Sequence, residues 1–270
     1  MKTSTEKNNK KAIFFDIDGT LFDPIIGVPK STREGISKLR SNGILTIVCT
    51  GRSRSMVPQS ILELGFDGII AGAGTYVEYK GEKIFERNLP DKIAQNMVTV
   101  IREHGLIPLP EGHKISYYDG TVEDKEYKEV LEKYFKEAKA CMDPIPEDYS
   151  HLNIAKISAR FTKNGRNEEL IKKCQEEFTI INHSGLLLEF IPKYSSKAVG
   201  IKAFIEHAGV NLENTYAFGD SMNDFEMLTY VNYGVAMGNS DPQMLPLIKY
   251  KTDSIENDGI YNALKRFELI

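Results

Sequence analysis

Short apolar runs alternate with amphipathic stretches toward both ends of this 270-residue chain, and few folds accommodate that alternation. The runs are "AIFF" (12–15), "ILTIVC" (44–49), "DGIIAG" (67–72), "TYAFGD" (215–220) and "YGVAMG" (233–238). They are continuously apolar, as strands buried on both faces of a parallel sheet must be. Between them the apolar spacing changes to that of helices. Ser31 with Glu34 forms a capping-box pattern that opens a helix carrying Ile36 and Leu39 and closing at Asn42-Gly43. A helix is expected over about 54–64, ending at Gly65, and another over Lys197–His207 with Val199, Ile201, Phe204 and Ile205 on its apolar side. Asp224–Tyr230, a short Pro242–Ile248 weakened by Pro246, and Gly259–Phe267 complete the set. Repeated βα units predict an α/β fold, a parallel sheet with helices on both faces. "TYVEYKGEKIFER" (75–87) alternates on either side of Lys80-Gly81 and reads as a hairpin.

The middle of the chain follows another rule. A helix over Asp91–His104 precedes two short strands near Leu106–Leu109 and Lys114–Tyr118. A charged helix over Asp124–Ala140 leads into the loop "CMDPIPEDYSH", and "LNIAKISARF" (152–161) alternates as an antiparallel strand does. A helix at 166–176 and strands at 177–182 and 186–191 follow. We expect core segments 1–88 and 190–270, with 89–189 as an inserted α+β domain whose sheet is open and antiparallel.

Lys+Arg minus Asp+Glu is 34 − 38 = −4, and nothing in that balance favours nucleic acid or an anionic membrane. No apolar stretch is long enough to span a bilayer. "MKTSTEKNNKK" reads as a loose polar tail without the apolar core of a secretory signal. Cys49, Cys141 and Cys174 have no metal-like spacing and suit reduced thiols in the cytoplasm. The five histidines are scattered and read as structural or surface residues. No coiled-coil heptads or obligate protein partner are evident, and a monomer is the expected state.

Open α/β sheets bind ligands beyond the carboxyl ends of their strands. Four polar clusters fall at such boundaries: Asp16-Ile17-Asp18-Gly19-Thr20, Thr50-Gly51-Arg52, Lys197, and Gly219-Asp220-Ser221-Met222-Asn223-Asp224. Asp16, Asp18, Asp220 and Asp224 would repel one another in one cleft unless a cation or proton intervenes. Hard oxygen donors with an open shell suit Mg²⁺, which often binds substrate phosphate as well. The Thr50 hydroxyl, the Gly51 amide, Lys197 and the Asn223 amide are donors fit for phosphate oxygens. A carboxylate facing a phosphoryl group can attack it, and a second one two residues on can serve as acid and base. "DIDG" by itself is also a good turn sequence. Arg52 could reach a substrate or pair within the core. "AGAG" (71–74) lacks the GxGxxG pattern and reads as tight turns rather than a dinucleotide site.

Taken together the clusters resemble the four motifs of the haloacid dehalogenase superfamily: "DIDGT" the first, "CTGR" the second, Lys197 the third and "GDSMND" the fourth. The insert is similar in layout to the type IIB cap, and "LEFIPKYSSK" (188–197) and "TDSIENDGIYNAL" (252–264) resemble the Cof-type phosphatases. The resemblance implies a Rossmann-like core, Mg²⁺ dependence and hydrolysis of small phosphomonoesters, often sugar phosphates. It implies Asp16 as nucleophile and Asp18 as acid/base. Asp16, the Asp18 carbonyl and Asp220 match its metal ligands, with Ser221 or Asp224 near or in the shell. Ile17 (through its amide), Thr50, Gly51, Lys197 and Asn223 match its phosphate binders. "AGAGT" departs from the Asn-Gly-Ala run such proteins often carry, and Pro246 interrupts a helix that is usually unbroken.

The expected partner is a small phosphorylated metabolite, with the cap closing over it. A sugar phosphomutase using the same aspartyl phosphate is the alternative, separable by following phosphate release against isomer formation. A non-catalytic phosphate sensor on the same fold would bind without turnover.

Overall fold

The computed structural model describes residues 10–138, 141–149, 151–183 and 185–270, the side chains of 133–138 excepted. The polar N-terminal stretch up to Asn9 and the expected end of the charged helix at 139–140 lie outside them.

Along the chain, β1 (Ala12–Phe15), α1 (Lys30–Ser41), β2 (Leu45–Cys49), α2 (Gln59–Leu62), β3 (Gly68–Ala71), β4 (Tyr76–Tyr79) and β5 (Glu82–Glu86) come first. The middle holds α3 (Asp91–Glu103), β6 (Ile107–Glu111), β7 (Ser116–Tyr118), α4 (Lys125–Ala138), β8 (Met142–Pro144), β9 (Lys156–Arg160), α5 (Asn167–Cys174), β10 (Phe178–His183) and β11 (Leu187–Pro192). Then follow α6 (Lys197–Ala208), β12 (Thr215–Gly219), α7 (Phe225–Tyr230), β13 (Tyr233–Ala236), β14 (Tyr250–Lys251) and α8 (Gly259–Arg266).

The chain divides into two compact units. The first comprises the chain up to Gly51, Ser60–Phe85 and Ser196–Ile270; the second comprises Arg52–Gln59 and Glu86–Ser195. Each is built around its own sheet.

The first sheet runs β14-β13-β12-β1-β2-β3-β4-β5. Its strands are parallel from β14 to β3, and β4 then pairs antiparallel with β3. The apolar runs are buried on both faces because successive side chains point to opposite sides. Phe14 meets Phe204 of α6 edge-on at 5.8 Å, while Phe15 stacks on Phe218 of β12 at 5.3 Å. The hairpin turn uses Lys80 and Gly81, both at positive φ, the geometry that matches strand twist in a two-residue turn.

The second sheet runs β10-β11-β9-β6-β7-β8, antiparallel except for the parallel β7–β8 pair. Helices α3 and α5 cover one face, with Met97, Val98, Ile101, Leu170 and Cys174 against Ile157, Ala159, Leu188 and Phe190. No helix among the described residues is long and apolar enough to cross a membrane.

Local expectations fail where a proline or a non-local partner intervenes. The stretch 54–64 is not one helix: a 3₁₀ turn at Arg54–Met56 is separated from α2 by Val57-Pro58, since proline disfavours helical backbone at the preceding residue. The Ser31/Glu34 capping box does not form. Pro29 is the N-cap and α1 begins at Lys30, so Ser31 falls inside the first turn. Its hydroxyl donates to Asp258 at 2.5 Å, and Glu34 pairs with Lys38 one turn on. Pro246 leaves only a 3₁₀ turn at Leu245–Leu247.

Candidate active site

The site grows from the carboxyl ends of β1 and β12, adjacent strands at the centre of the first sheet. The Asp16 amide donates to the Phe218 carbonyl (3.0 Å), continuing the β1–β12 ladder one residue past β1. The chain then turns sharply: the Ile17 carbonyl accepts from the amides of Thr20, Leu21 and Phe22. Ile17 is fully buried and anchors the turn, while the Asp18 side chain is exposed. Gly19 sits at φ 80°, and a Cβ there would lie 2.2 Å from Asp220 Oδ2. Glycine at this position is therefore a steric requirement of bringing the two loops together.

On the β12 side, the "GDSMND" loop is locked by Asp224. Its Oδ2 accepts the amides of Asp220 (3.0 Å) and Ser221 (3.1 Å), completing a capping box with Ser221. Its Oδ1 accepts from Lys197 Nζ at 2.5 Å. A Cβ at Gly219 would lie 2.5 Å from Asp224 Cγ, so this packing too depends on a glycine.

Lys197 begins α6, whose N-cap Ser196 accepts from the Val199 amide. The ammonium is buried and bridges Asp16 Oδ1 (2.6 Å) and Asp224 Oδ1 (2.5 Å), with Asn223 Oδ1 at 3.5 Å. The Ser221 hydroxyl also donates to Asn223 Oδ1, at 2.6 Å. With its oxygen so engaged, the Asn223 amide keeps its Nδ2 group as a donor.

Thr50 follows β2, the neighbour of β1 on the other side. It is buried, its amide donates to the Ile70 carbonyl and its own carbonyl accepts from Ala73. Gly51 is half-buried beside it. Arg52 donates from Nη1 to the Met56 carbonyl at 3.3 Å within the second unit. Thus Asp16, Lys197, Asp220, Ser221, Asn223 and Asp224 form one bonded cluster.

Two members of the surrounding frame were not assigned such roles from sequence. The Thr20 hydroxyl donates to Asp220 Oδ1 at 3.1 Å, and Asn239 Nδ2 donates to the Gly19 carbonyl at 2.8 Å. Asn239 follows β13, so the strand-end rule that exposed the other clusters was also its one available signal.

The charges do not balance locally. Burial, and next the Asp224 carboxylate, push Asp16 well above the usual carboxylate range, although Lys197 opposes them. Burial and Asp224 likewise raise Asp220 to about 7, against the Thr20 hydrogen bond and Lys197. Burial works against the Lys197 ammonium, but Asp16 and Asp224 outweigh it and raise its pKa. Asp16, Asp220 and Asp224 each bring a carboxylate oxygen within 4.8 Å of the others. Clustered hard oxygens short of positive charge fit a divalent cation of the Mg²⁺ kind. Asp16 and Asp220 suit it best, because both oxygens of Asp224 are already engaged.

This architecture has close counterparts. Residues 13–264 match the family model of the haloacid dehalogenase-like hydrolases. YkrA of Bacillus subtilis (strain 168), which carries a phosphatase name, is 30% identical over 97% of this chain and 99% of its own. The HMP-PP phosphatase of Cronobacter sakazakii is 27% identical over 86% of this chain and 85% of its own. The solved structure of a subclass IIB sugar phosphatase superposes with a TM-score of 0.84 at 25% identity, covering 97% of this chain and all (100%) of that one. Cluster, fold and relatives agree: the chain belongs to the haloacid dehalogenase-like hydrolases and is a phosphatase of that family.

Proposed function

We propose that the protein hydrolyses small phosphomonoesters, sugar phosphates foremost, in a Mg²⁺-dependent reaction through a phosphorylated Asp16. The observation that carries this reading is the buried Asp16 carboxylate, held at 2.6 Å by Lys197 at the carboxyl end of β1. With Oδ1 tied to the ammonium, Oδ2 is the oxygen available to attack.

Lys197, Asn223 Nδ2, the Thr50 hydroxyl and the amides of Ile17 and Gly51 bind the phosphoryl oxygens. Asp16 Oδ2 forms a bond to phosphorus as the ester P–O bond breaks. Asp18, whose side chain is exposed, protonates the departing alkoxide. It then takes a proton from the water that displaces phosphate from Asp16. Asp16 and Asp220 would hold Mg²⁺, with the Asp18 carbonyl, and Ser221 or Asp224 at the edge of the shell. When bound, the ion screens the repulsion between carboxylate and phosphate and polarises the phosphoryl oxygens. Asp224 acts by fixing Lys197 and the loop that carries Asp220. We read the second unit as the inserted cap domain, and three free cysteines as those of a cytoplasmic enzyme.

The test is turnover of p-nitrophenyl phosphate and a panel of sugar phosphates, with and without Mg²⁺, for wild type and Asp16→Asn. Metal-dependent release of inorganic phosphate is expected, lost in the variant. Wild-type turnover by Asp16→Asn would overturn the mechanism, and isomer formation from a hexose 1-phosphate without phosphate release would reassign the enzyme as a mutase.

A further inference from the structure

The "AGAGT" segment, a mere turn by sequence, lies inside the catalytic frame of the first unit. It closes a ring of contacts that joins the proposed phosphate-binding positions Thr50 and Lys197. The Ala73 amide donates to the Thr50 carbonyl at 3.1 Å. Ala73 takes φ 51°, ψ 44°, a left-handed conformation costly for a residue with a Cβ. That conformation turns Gly74, at φ 86°, against the start of α6: a Cβ on Gly74 would lie 2.0 Å from the Ser196 carbonyl oxygen. From the helix side, a Cβ on Gly200 would lie 2.4 Å from Ile70 Cγ2 and 3.0 Å from Gly74 Cα. The ring closes where Cys49 Sγ reaches the Lys197 carbonyl at 4.0 Å. Thr75 steadies the turn, its hydroxyl donating to the Gly72 carbonyl at 2.8 Å.

We propose that Gly74 and Gly200 are positioning residues that set Lys197 and Thr50 in register for phosphate, the close approach of the two backbones, which leaves no room for a Cβ, fixing the start of α6 against the turn after β3. The inference rests on the proposed role of Lys197. The buried, β-branched Ile70 and the Gly74 backbone have little freedom to relax, so a methyl at Gly200 displaces the helix start that carries the ammonium. Gly68 provides a control. A Cβ there would lie 2.5 Å from Phe204 Cε2 and 2.7 Å from the Glu78 carbonyl oxygen, an equal crowding that does not involve the turn or the helix start.

The experiment titrates inorganic phosphate calorimetrically, at fixed Mg²⁺, into wild type, Gly200→Ala, Gly68→Ala and Lys197→Met, with Tm measured on each. Gly200→Ala is expected to bind phosphate about tenfold more weakly, the loss of one well-aimed charged hydrogen bond. Gly68→Ala is expected to lose comparable Tm while keeping wild-type phosphate affinity. Equal phosphate affinity in Gly200→Ala and wild type, or the same weakening in Gly68→Ala, overturns the proposal. Undiminished binding by Lys197→Met overturns instead the reading beneath it. Should Gly200→Ala not fold, Thr75→Val removes the hydroxyl's hold on Gly72. About threefold weaker phosphate binding is expected, and unchanged binding counts against the lock.

Discussion

Among the described residues two lysines are buried, one in each unit, and both bridge a pair of carboxylates. In the second unit Lys156 Nζ lies 2.7 Å from Glu111 Oε1 and 2.8 Å from Glu189 Oε1. His183 Nε2 bonds the other Glu189 oxygen at 2.8 Å, and the Ser158 hydroxyl donates to Glu111 at 2.6 Å. Burial alone would raise Glu189, but Lys156 and His183 outweigh it and leave its pKa at about 2. Around Lys197 the same forces give the opposite result: Asp16 and Asp220 are pushed up. One ammonium sits among four aspartates there, whereas Lys156 faces two glutamates, one of them also bonded by His183. In the Lys156 cluster the ammonium and the hydrogen bonds outweigh burial, the condition of a structural ion pair. The Lys197 cluster is short of positive charge, the condition of a site that takes up a cation.

The comparison can be broken most decisively at the nucleophile. Asp16→Asn should lower kcat by about 10⁴-fold or more while Tm holds or rises, since a crowded buried carboxylate is relieved; steady-state kinetics and calorimetric melting test both halves. At the structural lysine the pattern should invert. Lys156→Met leaves the buried Glu189 and the half-buried Glu111 without their counter-ion and should cost about 3–5 kcal/mol in urea unfolding.

The acids themselves give a third contrast. Asp220 has an ordinary pKa of 3.8 and a folded one of about 7 without metal. Between these values the folded protein keeps a proton that the unfolded chain has lost, so stability falls as pH rises through the window and levels off above 7. Glu189 runs the other way: its contribution is present above the ordinary 4.5 and is lost as pH falls through about 2. In EDTA, Tm should therefore fall between pH 4 and 7. Mg²⁺ should raise stability more at pH 8 than at pH 5, by about 3 kcal/mol at a hundredfold excess over its dissociation constant. An equal Mg²⁺ effect at both pH values would mean that the aspartates are not its ligands. The smallest effect belongs to the Lys156 cluster: His183 is partly exposed, and His183→Gln should cost about 0.5 kcal/mol, measurable in the same urea titrations.

Much of this was legible because it is local. Continuous apolar runs announced the buried strands, and the strand-end rule placed Asp16, Asp220, Asn223 and Asp224 together although some two hundred residues separate the first from the rest. What stayed hidden depends on partners far away in the chain. Lys156 and Ser158 occupy the polar positions of an alternating strand, and alternation alone does not reveal that they are buried against Glu111 of β6 and Glu189 of β11. Ser31 and Glu34 match a capping box in spacing, and Pro29 overrides it by starting the helix two residues earlier. Strands as short as β8 and β14 carry no period to detect, and the role of "AGAGT" depends on Ser196 and Gly200, over a hundred residues away.

The order of strands also has a consequence for how the protein is made. Strand β1 carries Asp16 early, but its neighbour β12, with Asp220 just beyond, emerges from the ribosome about two hundred residues later, roughly ten seconds or more at ordinary rates of synthesis. Glu189 completes the Lys156 cluster late in that interval, shortly before Lys197 is made, and at that point the carboxylate of Asp16 still lacks Asp220 and Asp224. Folding on the ribosome should therefore finish the structural lysine first and switch on chemistry last, and a nascent chain halted before Lys197 should be partly folded and catalytically silent.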